Sequence, residues 1–138
     1  MNCELCNVVG GEVLWQDSLC RVVLVDDCDY PGFCRVIWTA HCKEMTDLPS
    51  PQREHLMGVV FAVETAVRQV LQPDKINLAS LGNVVPHIHW HVIPRFGQDR
   101  HFPNPIWGQA LRDALPEPPA NLAARLRDAV HAALQPAD

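Results

Sequence analysis

The sequence predicts an α+β domain, with an antiparallel sheet of about five strands, one long helix and a C-terminal helix. Three observations carry that reading. Short strand-like segments lie on both sides of one long apolar stripe at helical spacing. The run His87-Ile88-His89-Trp90-His91-Val92-Ile93 alternates with a period of two, as a strand does. Near the end, Leu122, Leu126, Val130 and Leu134 recur every fourth residue, as on a helix face. With 138 residues, 48% apolar and 20% charged, the chain has the profile of one ordinary globule with a sizeable core.

Gly10-Gly11 reads as a turn, followed by strands at Val13–Gln16 and Arg21–Asp26. The turn formers of Asp26–Gly32 make a loop, and Cys34–Thr39 a third strand. A short turn is expected around Thr46–Leu48. Ser50-Pro51 predicts a helix start, with Ser50 as N-cap and proline at the first helical position. Leu56, Val59, Val60, Val63, Val67, Val70 and Leu71 form its apolar stripe, and Pro73 stops it. Lys75–Leu81 and His87–Pro94 complete the strands, with Gly82–Pro86 as a loop between them. Phe96–Gly108, rich in aromatics and proline, is expected to be irregular. Pro116–Pro119 is a stiff linker to a last helix capped by Asn121.

The formal net charge of −5 and the lack of a basic cluster argue against nucleic-acid binding, so an anionic substrate would need local attraction. No apolar run is long enough to span a membrane. The start Met1-Asn2-Cys3-Glu4-Leu5-Cys6 has no secretory character, which predicts a cytoplasmic setting and six cysteines used as thiols or metal ligands. Cys20, Cys28, Cys34 and Cys42 have no ligand spacing and read as small apolar fillers. Cys3-x-x-Cys6 does have a ligand or redox spacing.

On a strand, His87, His89 and His91 share one face while Ile88, Trp90 and Val92 bury the other. Three chemistries fit that pattern: a half-exposed strand with incidental histidines, a three-histidine metal site, or nucleophilic catalysis by one imidazole oriented by its neighbours. The flanking residues decide among them. Gly82-Asn83 before the run, and His-apolar-His-apolar-His-apolar-apolar followed by Pro94-Arg95, resemble the histidine-triad (HIT) superfamily over roughly Cys3 to Arg95.

The resemblance implies a HIT-like domain over 1–112, with 113–138 as linker and helix packed on it. It implies a nucleotidyl hydrolase or transferase acting at the α-phosphate of a nucleotide, of dinucleoside polyphosphate or nucleoside phosphoramidate type. His89 would be the nucleophile, His91 the phosphate partner and His87 the scaffold behind them. Asn83 and the backbone at Gly82 and Val84 would hold phosphate, and Asp26 would hold the ribose. It also implies one structural zinc on Cys3, Cys6, His41 and His87, no catalytic cofactor, and a homodimer. The stripe on Leu56–Leu71 exceeds what one small sheet face needs, which suggests the same dimer. One departure stands out. Where many members have Pro-Gly-His, this chain has Pro31-Gly32-Phe33, and a phenylalanine carries no proton. This motivates a second reading, a nucleotide-binding module without turnover. The tail with Phe102, Pro103, Pro105 and Trp107 is expected to pack at the surface, with Trp107 lining the pocket as the alternative that the resemblance offers.

Overall fold

The computed structural model describes residues 2–135. The order is α1 (Glu4–Asn7), β1 (Glu12–Gln16), β2 (Cys20–Leu24), β3 (Cys34–Trp38), a 3-10 turn (Met45–Asp47), α2 (Ser50–Leu71), β4 (Lys75–Ala79), β5 (His89–Arg95) and α3 (Leu122–Leu134). The five strands form one antiparallel sheet in the order β1-β2-β3-β5-β4, as the alternation predicts. Among the described residues, no helix is long and apolar enough to cross a membrane.

One face of the sheet makes the main core. Val22, Cys34, Val36, Trp38, Ile88 and Val92 pack there against Leu56, Val59, Val60, Val63 and Val67 of α2. Leu126 and Val130 of α3 join the same cluster. The chain's own sheet and α3 thus cover the α2 stripe between them. The stripe needs no second subunit to bury it, and it gives no independent argument for a dimer. The opposite face carries Val23 and Ile37, packed on Cys3 and Leu5, and a smaller cluster of Tyr30, Phe33 and Ile93.

The boundaries differ from the predicted ones for local reasons. Helix α2 takes Pro49 as its cap residue, not Ser50: the Pro49 carbonyl accepts the N–H groups of Gln52 and Arg53 at 3.0 and 3.1 Å. Asn121 caps α3 through its carbonyl, which accepts from Arg125 N–H, with no side-chain bond. Strand β4 stops at Ala79 because Ser80 turns its hydroxyl onto the His89 carbonyl at 2.7 Å. Among the predicted fillers, Cys20 and Cys34 are buried, but Cys28 is exposed. Gly32 has φ +91, and a Cβ there would meet Leu71 at 2.0 Å. Only glycine lets the 29–33 loop approach the end of α2 so closely, and that approach seats Phe33 in the interior.

Candidate active site

The histidine run divides in two. β5 begins at His89, so the predicted strand over His87–Pro94 starts two residues late and extends one residue further. His87 follows Pro86 in a bend where its N–H returns to the Val85 carbonyl at 2.9 Å. Its ring lies beyond the end of β5, on the same side of the sheet as Ile37, and turns toward the N-terminal cysteines. His87 Nε2–H donates to the Trp38 carbonyl, while Nδ1 lies 3.4 Å from Cys3 Sγ and 3.5 Å from Cys6 Sγ. The three imidazoles share one side of the sheet, but only His89 and His91 stand on β5 itself.

Those two are well defined. His89 and His91 are both buried, with ring centroids 4.9 Å apart and planes at 86°. His89 Nδ1–H donates to the His87 carbonyl at 2.6 Å. A carbonyl only accepts, so the proton sits on Nδ1 and the Nε2 lone pair is free. In register, Ile37 pairs with His89 and Arg35 with His91, which places Arg35 beside His91 on the same face. Arg35 Nε–H donates to His91 Nδ1 at 3.2 Å. His91 has the complementary tautomer, with its proton on Nε2. Burial, then the charges of Arg35 and His89, push the His91 pKa down to about 3, so the ring is neutral near pH 7.

Phe33 fills the place expected of a histidine. It is buried and meets the His91 ring edge-on at 5.6 Å. Trp107 meets His91 from another side at 4.9 Å and 63°, and is half exposed. The expectation that Trp107 only packs at the surface is thus corrected.

Trp107 reaches His91 because the segment after β5 is pinned. Arg95 is 2% exposed and Asp99 8% exposed. The guanidinium of Arg95 binds both carboxylate oxygens of Asp99 at 2.9 and 3.1 Å, and also Asn77 and the Asn104 carbonyl. The N–H groups of Phe96, His101 and Phe102 donate to the same carboxylate. Burial opposes ionisation of Asp99, but Arg95 and these N–H groups outweigh it and draw its pKa down to about 2.

Sulfur and nitrogen donors gather at the other end. The ligand atoms of Cys3, Cys6, His41 and His87 all lie within 4.8 Å of one another, and Cys6 Sγ is 3.5 Å from His41 Nδ1. Zinc bond lengths imply a sulfur–nitrogen edge of about 3.6 Å in a tetrahedral site. The observed separations of 3.4 to 3.5 Å match that edge. The Trp38 carbonyl, accepting from the far side of His87, is the outer partner that metal-bound imidazoles have. The residues therefore fit a closed four-ligand site. Cys42 is outside it, with its thiol on the Glu44 carbonyl.

The predicted substrate residues lie in loops flanking the sheet. Asp26 is exposed two residues beyond β2. Asn83 and Val84 are exposed in the loop before β5, where Gly82 has φ +73. Gly82 lines a cleft of about 240 Å³ with Lys43, Ser80, His87 and Trp90. A cleft of about 440 Å³ lies between Tyr30, Leu71, Phe96 and the 114–119 linker, and neither His89 nor His91 lines it.

The HIT domain family model matches residues 8–98. The chain belongs to the HIT family. Among HIT-family structures it resembles a histidine triad protein from Marinobacter aquaeolei, at 25% identity and TM-score 0.73, covering 97% of this chain and 95% of that one. Protein hit from Bacillus subtilis is 22% identical over 91% of this chain and 92% of its own length. An adenylylsulfatase from Arabidopsis thaliana is 25% identical over 71% of this chain. An AP-4-A phosphorylase from Mycobacterium tuberculosis is 29% identical over 60% of this chain. The chain spans about half of these last two relatives, 54% and 48% of their lengths.

Arg35 and Ser80 escaped the reading of the sequence. Arg35 had a signal, as a lone charge inside the otherwise apolar strand Cys34–Trp38. Ser80 had none, since its role is a bond to a main-chain carbonyl across the sheet.

Proposed function

We propose that this HIT-family chain is a nucleotidyl hydrolase or transferase acting at the α-phosphate through a nucleotidyl-histidine intermediate on His89. The observation that carries the proposal is the bond from His89 Nδ1–H to the His87 carbonyl, which orients the ring and leaves Nε2 as the nitrogen that can attack. Nε2 attacks phosphorus and forms a P–N bond as the bond from phosphorus to the leaving group breaks, a P–O bond in a dinucleoside polyphosphate and a P–N bond in a phosphoramidate, whose amine leaves with a proton. Water, or another acceptor hydroxyl, then forms a new P–O bond as the P–N bond breaks. His91 Nε2–H donates to a non-bridging oxygen in both steps, and a positioned donor to developing charge is the largest single aid such a site offers. Asn83 and the backbone at Gly82 and Val84 hold phosphate in this reading, and Asp26 accepts from the ribose hydroxyls.

Two relatives support adenylyl substrates by their names, an adenylylsulfatase and an AP-4-A phosphorylase. A dinucleoside polyphosphate or a nucleoside phosphoramidate is the substrate class proposed. Cys3, Cys6, His41 and His87 would hold one structural zinc, which supplies a closed cross-link and no open position for substrate. A hydrolytic metal shared by the three histidines is disfavoured, because His87 faces the cysteines. A homodimer and a cytoplasmic setting belong to the same proposal, the dimer testable by sizing.

The test is His89→Gly with an adenosine phosphoramidate and a dinucleoside tetraphosphate. Turnover should fall by at least about 10³-fold, and acid-labile label should transfer from substrate to the intact chain but not to the variant. Unchanged turnover would falsify the nucleophile assignment. Phe33 favours the second reading, a binding module. Nucleotide affinity by calorimetry with no turnover of either substrate would establish it.

A further inference from the structure

The proposed reaction needs His91 in one tautomer, and the geometry points to Arg35 as the positioning residue that fixes it: Arg35 Nε–H, donated to His91 Nδ1, keeps the imidazole proton on Nε2. This inference rests on the reading of His91 as the phosphate donor. Phe33 cannot orient His91 by a hydrogen bond, so the orientation has to come from another side chain. Arg35 sits directly across the β3–β5 ladder from His91, with Nε 3.2 Å from Nδ1. A guanidinium has donors and no acceptor, so this contact forms only when Nδ1 is bare.

The contact is enforced from both sides. The Arg35 guanidinium carbon lies 5.2 Å over the Phe33 ring, and Phe33 in turn meets His91. A planar cation suits that slot, and a lysine ammonium would have neither the flat face nor the directed Nε–H. Trp107 meets the His91 ring from another side, at 4.9 Å between centroids. Glu4 and Asp27 are close enough to support the Arg35 charge, and His89 is the other titratable group facing His91. With a phenylalanine at position 33, the orienting donor comes from Arg35, two residues further along the chain.

Histidine-labelled intact protein, observed by long-range proton–nitrogen correlation, reads the tautomer without any substrate. The wild type should show His91 with a protonated Nε2 and a bare Nδ1 from about pH 5 to 8. Arg35→Leu should give mixed tautomers at His91. Arg35→Gln keeps an amide donor on a shorter stem and should give an intermediate spectrum if Arg35→Leu does not fold. Turnover should fall at least about tenfold in kcat with KM little changed, since a wrong tautomer removes a transition-state contact. An unchanged single tautomer in both variants overturns the assignment, whatever the turnover. A changed tautomer with full turnover keeps the Arg35 assignment and removes the phosphate role of His91.

Discussion

The two ends of the segment His87–His91 are held by different chemistry. At the first end, His87 is reached by Cys3, Cys6 and His41, of which Cys6 and His41 are exposed. Such donors hold their geometry best when something binds them, so this end is conditional. At the second end, His91 is enclosed by Phe33, Trp107 and the Arg35 guanidinium, and the loop that brings Trp107 is tied by the buried Arg95–Asp99 pair. That end is preformed by packing and needs no ligand. The segment His87–His91 thus joins two ends that are held in different ways, although the three histidines look equivalent as a pattern.

Removing one partner of the preformed end should have the largest effect. Asp99→Ala leaves a buried guanidinium unpaired and frees three backbone N–H groups, which should cost about 3–5 kcal/mol in urea unfolding. If the variant stays folded, Trp107 emission should shift red as its loop leaves His91, and turnover should fall with it. A stability loss under about 1 kcal/mol would mean that Asn77 and the Asn104 carbonyl hold Arg95 well enough alone.

The conditional end should respond to metal instead. Zinc at about 100-fold over its dissociation constant should stabilise the wild type by about 2.7 kcal/mol. Elemental analysis of zinc-reconstituted protein should give one zinc per chain, and Cys6→Ser should lose most of both effects. The exposed Cys6 is the informative choice, since its replacement opens no cavity. Equal zinc content and stability in wild type and variant would show that these four residues bind no metal, and His87 would then be held by thiol hydrogen bonds.

The contrast also explains what was legible in the sequence. Strand and helix positions followed from the period of Ile88, Trp90 and Val92 and from the stripe on Leu56–Leu71, because burial of one face dictates them. The grouping of Cys3, Cys6, His41 and His87 came through the family resemblance, and the structure brings those four together. What stayed hidden depended on contacts between distant segments. The bend at His87 places its ring against Cys3 and Cys6, more than 80 residues away in sequence. The place of Trp107 reflects the Arg95–Asp99 pair, which looks like an ordinary i,i+4 surface pair when written out. Arg35 was visible as a charge in an apolar strand, but its partner depended on the β3–β5 register.

The smallest expected effect separates the two ends by pH. The His91 pKa is lowered to about 3 in the fold, against about 6.5 for an unfolded histidine. Between those values the unfolded chain binds a proton that the folded chain does not. His91 therefore contributes its full stability above about pH 6.5, and that contribution falls as pH drops towards 3, by at most about 1.4 kcal/mol per pH unit. His87 is also shifted down, by burial first, so the wild-type slope alone does not isolate His91. The difference between wild type and His91→Asn does. Urea unfolding at about pH 7.5, 6 and 5 should show that difference shrinking as the pH falls, because only the wild type loses the His91 contribution. A difference that stays constant across this range would mean that His91 takes up its proton in the folded state, with Arg35 displaced, and the preformed end would then be conditional like the first.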